Sequence, residues 1–332
     1  MKYIQAFTLG IAVICNGFVS AQTIAGTKLS NRQSVLNGKA FFYFPEGAAN
    51  VERPVDIMSA GHNPNEETRI IYANGKAKLV FFAQELYMVS DKNLFGEVSS
   101  DSAYKANFTS RVFTNSDSVL SILSTPLRYD TMHAPILIKS LLVQASDSTL
   151  FRIDAYINID AFADIEQYKS LAENVFNTIT KGTRAIKRKE RNEKYYLLDS
   201  TQSFIFHLPV NFCVSVDQAY DFKVFKFHKL RGFNDNVWGD MLIYVGDHPS
   251  YVYMDYGLDQ RGAKKDSGLF LGKRVSWLLF TDETQGVFLK EQIIPRDDIG
   301  AGLKMHVAMV ANTEDPFAEL TEIEQEVTLS TK

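Results

Sequence analysis

Strict alternation of apolar and polar residues marks a segment near the middle of the chain. Within residues 150–159, apolar positions alternate with polar ones, among them Arg152 and Asp154. Successive side chains of a strand point to opposite faces, so this period of two predicts a strand with one buried face. An apolar run at 136–144 and a polar turn precede it. Together they predict a hairpin.

A second hairpin of the same kind is predicted nearer the C-terminal end. Residues 287–294 are mostly apolar, a polar turn follows, and Lys304 and His306 then alternate with apolar residues.

After each hairpin, apolar residues recur at three- and four-residue steps, which predicts one buried face of a helix. Asp315 and Pro316 suit the start of the second helix. The apolar helical positions are Ile165, Tyr168, Leu171, Ala172, Val175 and Ile179 in the first helix, and Phe317, Leu320, Ile323 and Val327 in the second.

The same order of elements occurs twice along the chain. Each half starts with a strand that a proline ends, at 41–45 and at 205–209, and closes with the hairpin and the helix. A recurring order of this kind indicates duplication. The predicted fold class is α+β, with two related domains, each an antiparallel sheet packed by a C-terminal helix. We expect a signal peptide at 1–21, domains at 22–180 and 197–332, and a charged linker at 181–196.

The proline-ended strands and the closing hairpin-plus-helix units resemble the PsbP-like α/β/α sandwich domain, present here in duplicate. The resemblance covers the outer portions of each half, whereas the middle segments 51–119 and 214–271 match no pattern of that family. Proteins of this kind are commonly exported accessory or adaptor proteins without catalytic activity. The resemblance therefore implies a binding role.

The N-terminal residues are typical of a cleavable secretory signal peptide. Lys2 precedes an uncharged, mostly apolar run, and small residues end that run at Ala21. The alternatives are a membrane-anchoring helix, which the polar residues within the run disfavour, and lipidation at Cys15, which Ile14 disfavours. We therefore expect an exported protein, periplasmic or extracellular, with no integral membrane span in the mature chain.

Composition and charge narrow the class of protein further. Cleavage would leave Cys213 as the one cysteine, so stability must come from a packed core rather than from an internal disulfide. The chain carries 35 basic and 39 acidic residues, which gives no reason to expect a nucleic-acid partner.

Residues 181–194 are mostly basic, and we interpret this stretch as an exposed linker between the two domains. Its alternatives are an extension of the preceding helix and a docking strip for an anionic surface.

The candidate catalytic residues and the tyrosines that could bind a ligand lie in one region of the second half of the chain. Asp240, Asp247 and His248 could orient a general base or bind a metal, but Gly-Asp-His-Pro is also ordinary turn chemistry. The chain has no zinc, nucleotide or nucleophile-elbow motif, so we expect no cofactor and no metal, and a non-catalytic role is favoured over catalysis. Tyr251 and Tyr253 predict the aromatic face of a strand, which either packs in the core or binds a ligand.

Five Asp-Ser/Thr-apolar triplets resemble the O-glycan acceptor sites of exported Bacteroidetes proteins. All five lie in predicted turns or helix starts, where Asp and Ser are common without a glycan. Asn107 begins a triplet that would accept an N-glycan only in a eukaryotic secretory route. The O-glycan triplets begin at Asp101, Asp117, Asp130, Asp147 and Asp199.

The sequence is compatible with three classes of function. The first is an exported, non-catalytic binding or assembly adaptor that acts on an envelope or extracellular protein through its polar strand faces, at Arg152 and Asp154 and at Lys304 and His306. The second is a protein that binds a small molecule or glycan between its domains or on the Tyr251 and Tyr253 face. The third is a hydrolase that uses Asp247 and His248.

Overall fold

The computed structural model describes residues 23–51, 67–74, 77–90, 111–112, 119–122, 136–199, 201–282, 286–300 and 302–331. Strands account for 54% and helices for 16% of the structure. Residues 1–21, where the signal peptide is predicted, lie outside the described residues. Among the helices that are described, none combines the length and the apolar character needed to cross a membrane.

The described residues form two α-helices and a much larger number of strands. Helix α1 spans Ile165–Phe176 and helix α2 spans Glu314–Glu326. The strands of the first half are β1 (Leu29–Val35), β2 (Ala40–Pro45), β3 (Ala49–Asn50), β4 (Glu67–Asn74), β5 (Ala77–Val89), β6 (Arg111–Val112), β7 (Val119–Ile122), β8 (Ile136–Gln144), β9 (Thr149–Ile157) and β10 (Thr180–Lys181). Those of the second half are β11 (Arg191–Tyr196), β12 (Gln202–Leu208), β13 (Phe212–Gln218), β14 (Phe222–Lys229), β15 (Arg231–Gly232), β16 (Gly239–Gly246), β17 (Lys264–Phe270), β18 (Lys273–Asp282), β19 (Val287–Pro295), β20 (Lys304–Ala311) and β21 (Thr328–Thr331).

Each half of the chain builds one large sheet and one three-stranded sheet. The large sheets have the orders β3-β4-β5-β9-β8-β7-β6 and β13-β14-β16-β20-β19-β18-β17, and the short β15 pairs with β5. In both paths the first three strands lie in chain order and the other four lie in reverse order. The three-stranded sheets are β1-β2-β10 and β11-β12-β21. The two halves therefore repeat one strand topology.

The hydrophobic core of each half lies between its large sheet and a layer that contains one helix and the three-stranded sheet. In the second half, Leu320 of α2 and Phe206 of β12 are both fully buried in one core with Phe227 of β14. The rings of Phe206 and Phe227 meet edge to face, with their centroids 4.7 Å apart. In the first half Phe81 of β5 contacts Phe176 of α1 in the same edge-to-face manner. Aromatic packing between layers thus forms much of both cores.

The predicted α+β fold class is wrong. The structure is mostly β, with four sheets and only two α-helices among the described residues, so a helix does not pack each sheet. Each helix covers part of a large sheet, and a three-stranded sheet covers the neighbouring part. The segment 214–271, which matches no pattern of the PsbP-like family, contains strands β14 to β17. In strand β17 only Phe270 is buried, and no alternation marks it.

The predicted linker is held against the first half by hydrogen bonds. The N–H of Gly182 donates to the carbonyl of Lys39 over 2.8 Å, and the guanidinium of Arg184 donates to the carbonyl of Leu36 over 2.7 Å. The N–H of Ile186 donates to the carboxylate of Asp147 over 2.6 Å. Residues 182–190 belong to no helix or strand, so this stretch does not extend the preceding helix.

Candidate functional site

Polar side chains collect on the face of the second large sheet that is turned away from α2. In β14, Phe227 lies in the core beneath α2, so the next residue, His228, lies on the opposite face. In β16, Met241 lies in the same core, so Asp240 also lies on the opposite face. The two strands pair so that His228 stands directly across from Asp240.

Ser215, His228 and Asp240 form a hydrogen-bonded relay across three neighbouring strands. The Nε2 atom of His228 lies 3.0 Å from the hydroxyl of Ser215 on β13. The Nδ1 atom of the same ring lies 2.9 Å from a carboxylate oxygen of Asp240. Ser215 is only 2% exposed, whereas the side chain of Asp240 is 54% exposed. The relay therefore runs from a buried hydroxyl to a carboxylate that faces solvent.

Tyr87 of the first half covers the imidazole of the relay. Its ring stacks on that of His228, with centroids 3.6 Å apart and 12° between the planes. The pairing of β5 with β9 shifts register between Glu85 and Met88, so Tyr87 lies in a bulge. Its φ is 53°, in the left-handed region, which costs a non-glycine residue about 1–3 kcal/mol. Bulges beside binding sites commonly redirect a side chain in this way.

The relay opens into a cavity where the two halves of the chain meet, which we call the junction cleft. Here β15 pairs in parallel with the end of β5, and the N–H of Phe233 donates to the carbonyl of Val89 over 3.1 Å. The cavity has a volume of about 400 Å³. Its lining residues are Leu86, Tyr87, His228, Lys229, Arg231, Trp238, Gly239 and Asp240.

The junction cleft combines charges of both signs with aromatic rings. Lys229 is engaged by Glu319 of α2, at 2.6 Å. Arg231 makes no ion pair within the part of the chain that the structure describes. Burial raises the pKa of the Tyr256 phenol, and the negative charge of Asp240 raises it further, so this ring stands close to the relay. The cleft can therefore accept hydrogen bonds from a ligand and donate them to it.

The predicted strand through Tyr251 and Tyr253 is wrong, because the chain forms a short 3-10 helix at Val252–Met254. The carboxylate of Glu291 on β19 accepts hydrogen bonds from the N–H of Val252 at 2.9 Å and of Tyr253 at 2.8 Å. The same carboxylate lies 2.7 Å from Nε2 of His306, and both of these side chains are buried. Tyr253 is 6% exposed. These residues therefore pack together on the sheet rather than line a free surface.

The other predicted catalytic candidates do not join Asp240. Asp240 lies at the start of β16, whereas Asp247 and His248 follow the end of that strand. Both are exposed, and the N–H of His248 donates to the phenol oxygen of Tyr244 over 3.4 Å. Thus Asp240 meets a histidine, but the histidine is His228.

The predicted polar strand faces contain both buried and exposed residues. Asp154 is 1% exposed, accepts a hydrogen bond from the hydroxyl of Ser140 and pairs with Arg152 at 2.9 Å. Burial raises the pKa of its carboxyl, against the opposing effects of Arg152 and Ser140. In β20, Lys304 is exposed and His306 is buried. Neither pair of residues presents two free polar side chains on one surface.

One of the five glycan triplets lies wholly among the described residues, that at Asp147. Its acceptor residue, Ser148, is half-buried and has a φ of 65°, and the hydroxyl of the fully buried Thr149 beside it donates to Asp147 over 2.6 Å. The acceptor Ser200 of the triplet at Asp199, the triplets at 101, 117 and 130, and Asn107 lie outside the described residues.

Sequence reasoning missed His228, Tyr87, Trp238 and Arg231. A signal for His228 exists, because it is out of phase with the apolar residues of β14, as Asp240 is with those of β16. Tyr87 has no comparable signal, since its position depends on a bulge and on a contact between the halves. The described residues contain no group of three side chains placed to hold a metal.

Comparisons with protein-family models, with curated proteins and with solved structures found no match to this chain.

Proposed function

We propose that this chain is a non-catalytic binding protein that holds a small polar ligand in the junction cleft. The observation that carries the proposal is the composition of the cleft, where Asp240 and Arg231 stand beside the rings of Tyr87 and Trp238. Ligand sites typically combine apolar walls with a few polar groups that fix orientation, in cavities of about 300–1,000 Å³. The junction of two halves of a chain is also a common place for such sites.

The backbone of Tyr87 supports a functional role for the cleft. A bulged tyrosine in the left-handed region is unfavourable by itself, and its ring lies on the relay rather than in the core of its own half. Strain of this kind persists where the surrounding structure requires it, and it is concentrated at binding and catalytic sites.

The exposure of the relay argues for binding rather than hydrolysis. Serine, histidine and aspartate in this order can activate a hydroxyl for attack on a carbonyl. Such a reaction needs a hydroxyl that the substrate can reach, but Ser215 is the buried end of the relay and Asp240 is the open end. The relay therefore suits a role in orienting the Asp240 carboxylate toward a ligand.

The geometry favours a small ligand over the protein partner that we also considered. The partner hypothesis relied on polar strand faces, and Asp154 and His306 in those faces are buried. The junction cleft instead offers a defined cavity. Export to the periplasm or the cell exterior remains our expectation, and it would expose the cleft to ligands outside the cytoplasm.

Thermal stabilisation by ligands tests the proposal. We would screen the mature protein against neutral sugars, amino acids, amines, dicarboxylates and phosphate, because a ligand at about 100 times its Kd stabilises the folded state by about 2.7 kcal/mol. We expect at least one class to raise Tm for the wild type and to lose this effect in Asp240→Asn. Asp266→Asn is the matched control, because Asp266 is an exposed carboxylate on β17. Equal stabilisation of wild type and Asp240→Asn, or no stabilisation at all, would refute the proposal.

A further inference from the structure

We infer that the ligand class of the junction cleft is carbohydrate, with a sugar ring packed on the Trp238 indole and its hydroxyls donating to Asp240. This inference rests on the proposed function, since it identifies what the same cleft binds. Three features of the cleft carry it: the direction of the hydrogen bonds in the relay, the balance of charge, and the position of the aromatic rings.

The relay makes the Asp240 carboxylate an acceptor for its ligand. An ionised Asp240 carboxylate has no hydrogen to donate, so it can only accept a hydrogen bond. The Nδ1 atom of His228 that faces it must therefore carry a hydrogen, whether or not Nε2 carries one as well. Nε2 faces the Ser215 hydroxyl, which can either donate to it or accept from it. One carboxylate oxygen is thereby fixed by His228, and the exposed remainder of the group points outward. A ligand at this position must donate hydrogen bonds, as hydroxyl or ammonium groups do.

The charges that line the cleft favour a ligand without net charge. Arg231 lines the same cavity as Asp240, and a guanidinium can only donate hydrogen bonds. Lys229 is paired with Glu319. One negative and one positive group therefore line the cavity, and a ligand that both donates and accepts hydrogen bonds fits this pair better than a cation or an anion does. Sugars and zwitterions such as amino acids both meet this condition, and the aromatic wall of the cleft favours the sugar.

The aromatic rings supply the apolar surface that a sugar ring needs. Trp238 is half-buried and packs against the buried cluster that contains Tyr253 and Phe280. Its main chain is fixed by Asn312, which accepts from the Trp238 N–H at 2.8 Å and donates to the Trp238 carbonyl over 3.2 Å. We infer that the part of the indole left exposed at the cavity wall packs against the C–H face of a pyranose. Tyr87 forms a second aromatic wall over the relay.

Calorimetric titration of the full mature protein with neutral mono- and disaccharides tests this inference. Trp238→Ala should weaken sugar binding by about tenfold or more, because it removes the aromatic surface on which the sugar ring packs. Trp238→Phe keeps a flat ring and should retain most of the affinity. Tyr220→Ala is the matched aromatic control, because Tyr220 is 99% exposed and lies outside the cleft. Asp240→Asn gives a second test that removes no packing volume, and it should also weaken binding.

The outcomes separate the ligand class from the proposed function. Sugar binding that weakens in Trp238→Ala and Asp240→Asn, but not in Tyr220→Ala, supports the inference. If an amino acid, an amine, a dicarboxylate or phosphate binds in an Asp240-dependent way and no sugar does, the carbohydrate inference fails and the binding function stands. If no tested class binds at the cleft, both fail. Sugar binding that is unchanged in Trp238→Ala and Asp240→Asn also overturns the inference.

Discussion

Replacing Gly182 with alanine should undock the segment that joins the two halves. A Cβ atom at this position would overlap the carbonyl oxygen of Gly38 and would lie 2.8 Å from its carbonyl carbon and 3.0 Å from that of Lys39. All of these are main-chain atoms, so no side chain can move aside to make room. The φ of Gly182 is not in the left-handed region, so the expected effect comes from the clash alone.

The magnitude follows from the hydrogen bonds that the segment would lose. Undocking breaks the bonds from Gly182 to Lys39, from Arg184 to Leu36 and from Ile186 to Asp147. One ordinary bond at about 1 kcal/mol and two that involve a charged guanidinium or carboxylate, at about 1.5–3 kcal/mol each, total roughly 4–7 kcal/mol. Reduced freedom of the unfolded chain returns about 0.4–1 kcal/mol. The net loss should therefore be about 3–6 kcal/mol.

Urea denaturation followed by circular dichroism measures this loss, and amide exchange at Ile186 reports the local release. Gly262→Ala is the matched control, because its added Cβ meets nothing within 4 Å and its φ is also outside the left-handed region. That variant should stay within about 0.5 kcal/mol of the wild type. If Gly182→Ala is as stable as the control and Ile186 stays protected, the docked linker described above is incorrect.

Two further predictions concern stability. Burial acts to raise the pKa of Asp147, but Lys39, Thr149 and the N–H of Ile186 together outweigh it and hold this pKa below its usual value. A lowered folded-state pKa gives stability that is present above the unfolded value of about 3.9 and is lost as the pH falls below it. The free energy of unfolding should therefore drop more steeply between about pH 5 and pH 3 in the wild type than in Asp147→Asn, and equal slopes would contradict this. Leu320→Ala in α2 removes a fully buried side chain and should cost about 2–5 kcal/mol in urea denaturation, whereas Leu269→Ala, at a 65% exposed position, should cost less than about 0.5 kcal/mol.

Elements with a strong local pattern were predictable from the sequence. The hairpin of β8 and β9 is confirmed, because alternation acts over a few neighbouring positions. Helix α2 begins at Glu314, next to the predicted start, but its N-cap is Thr313 and not Asp315. Strand β17 carries no alternating pattern because it is exposed along most of its length. The segment at Tyr251 forms a 3-10 helix because Glu291, distant in the sequence, accepts its N–H groups. No local pattern contains that contact.

The candidate site was only partly predictable for the same reason. Asp240 was a candidate, but its partner was expected among nearby residues at Asp247 and His248. The actual partner, His228, is brought to it by cross-strand pairing of β14 with β16. Tyr87 comes from the other half of the chain through a bulge, so only the assembled structure places it on the imidazole.

The central claim, that the junction cleft binds a small polar ligand, is tested most directly by the indole N–H signals in an NMR spectrum. The chain has two tryptophans, and Trp238 lines the cleft whereas Trp277 is 1% exposed in the core beneath α2. Trp238→Phe assigns the two signals. The account predicts that a ligand from the panel shifts the Trp238 signal in a saturable way and leaves the Trp277 signal in place. A bound ligand that leaves the Trp238 signal unmoved would contradict it.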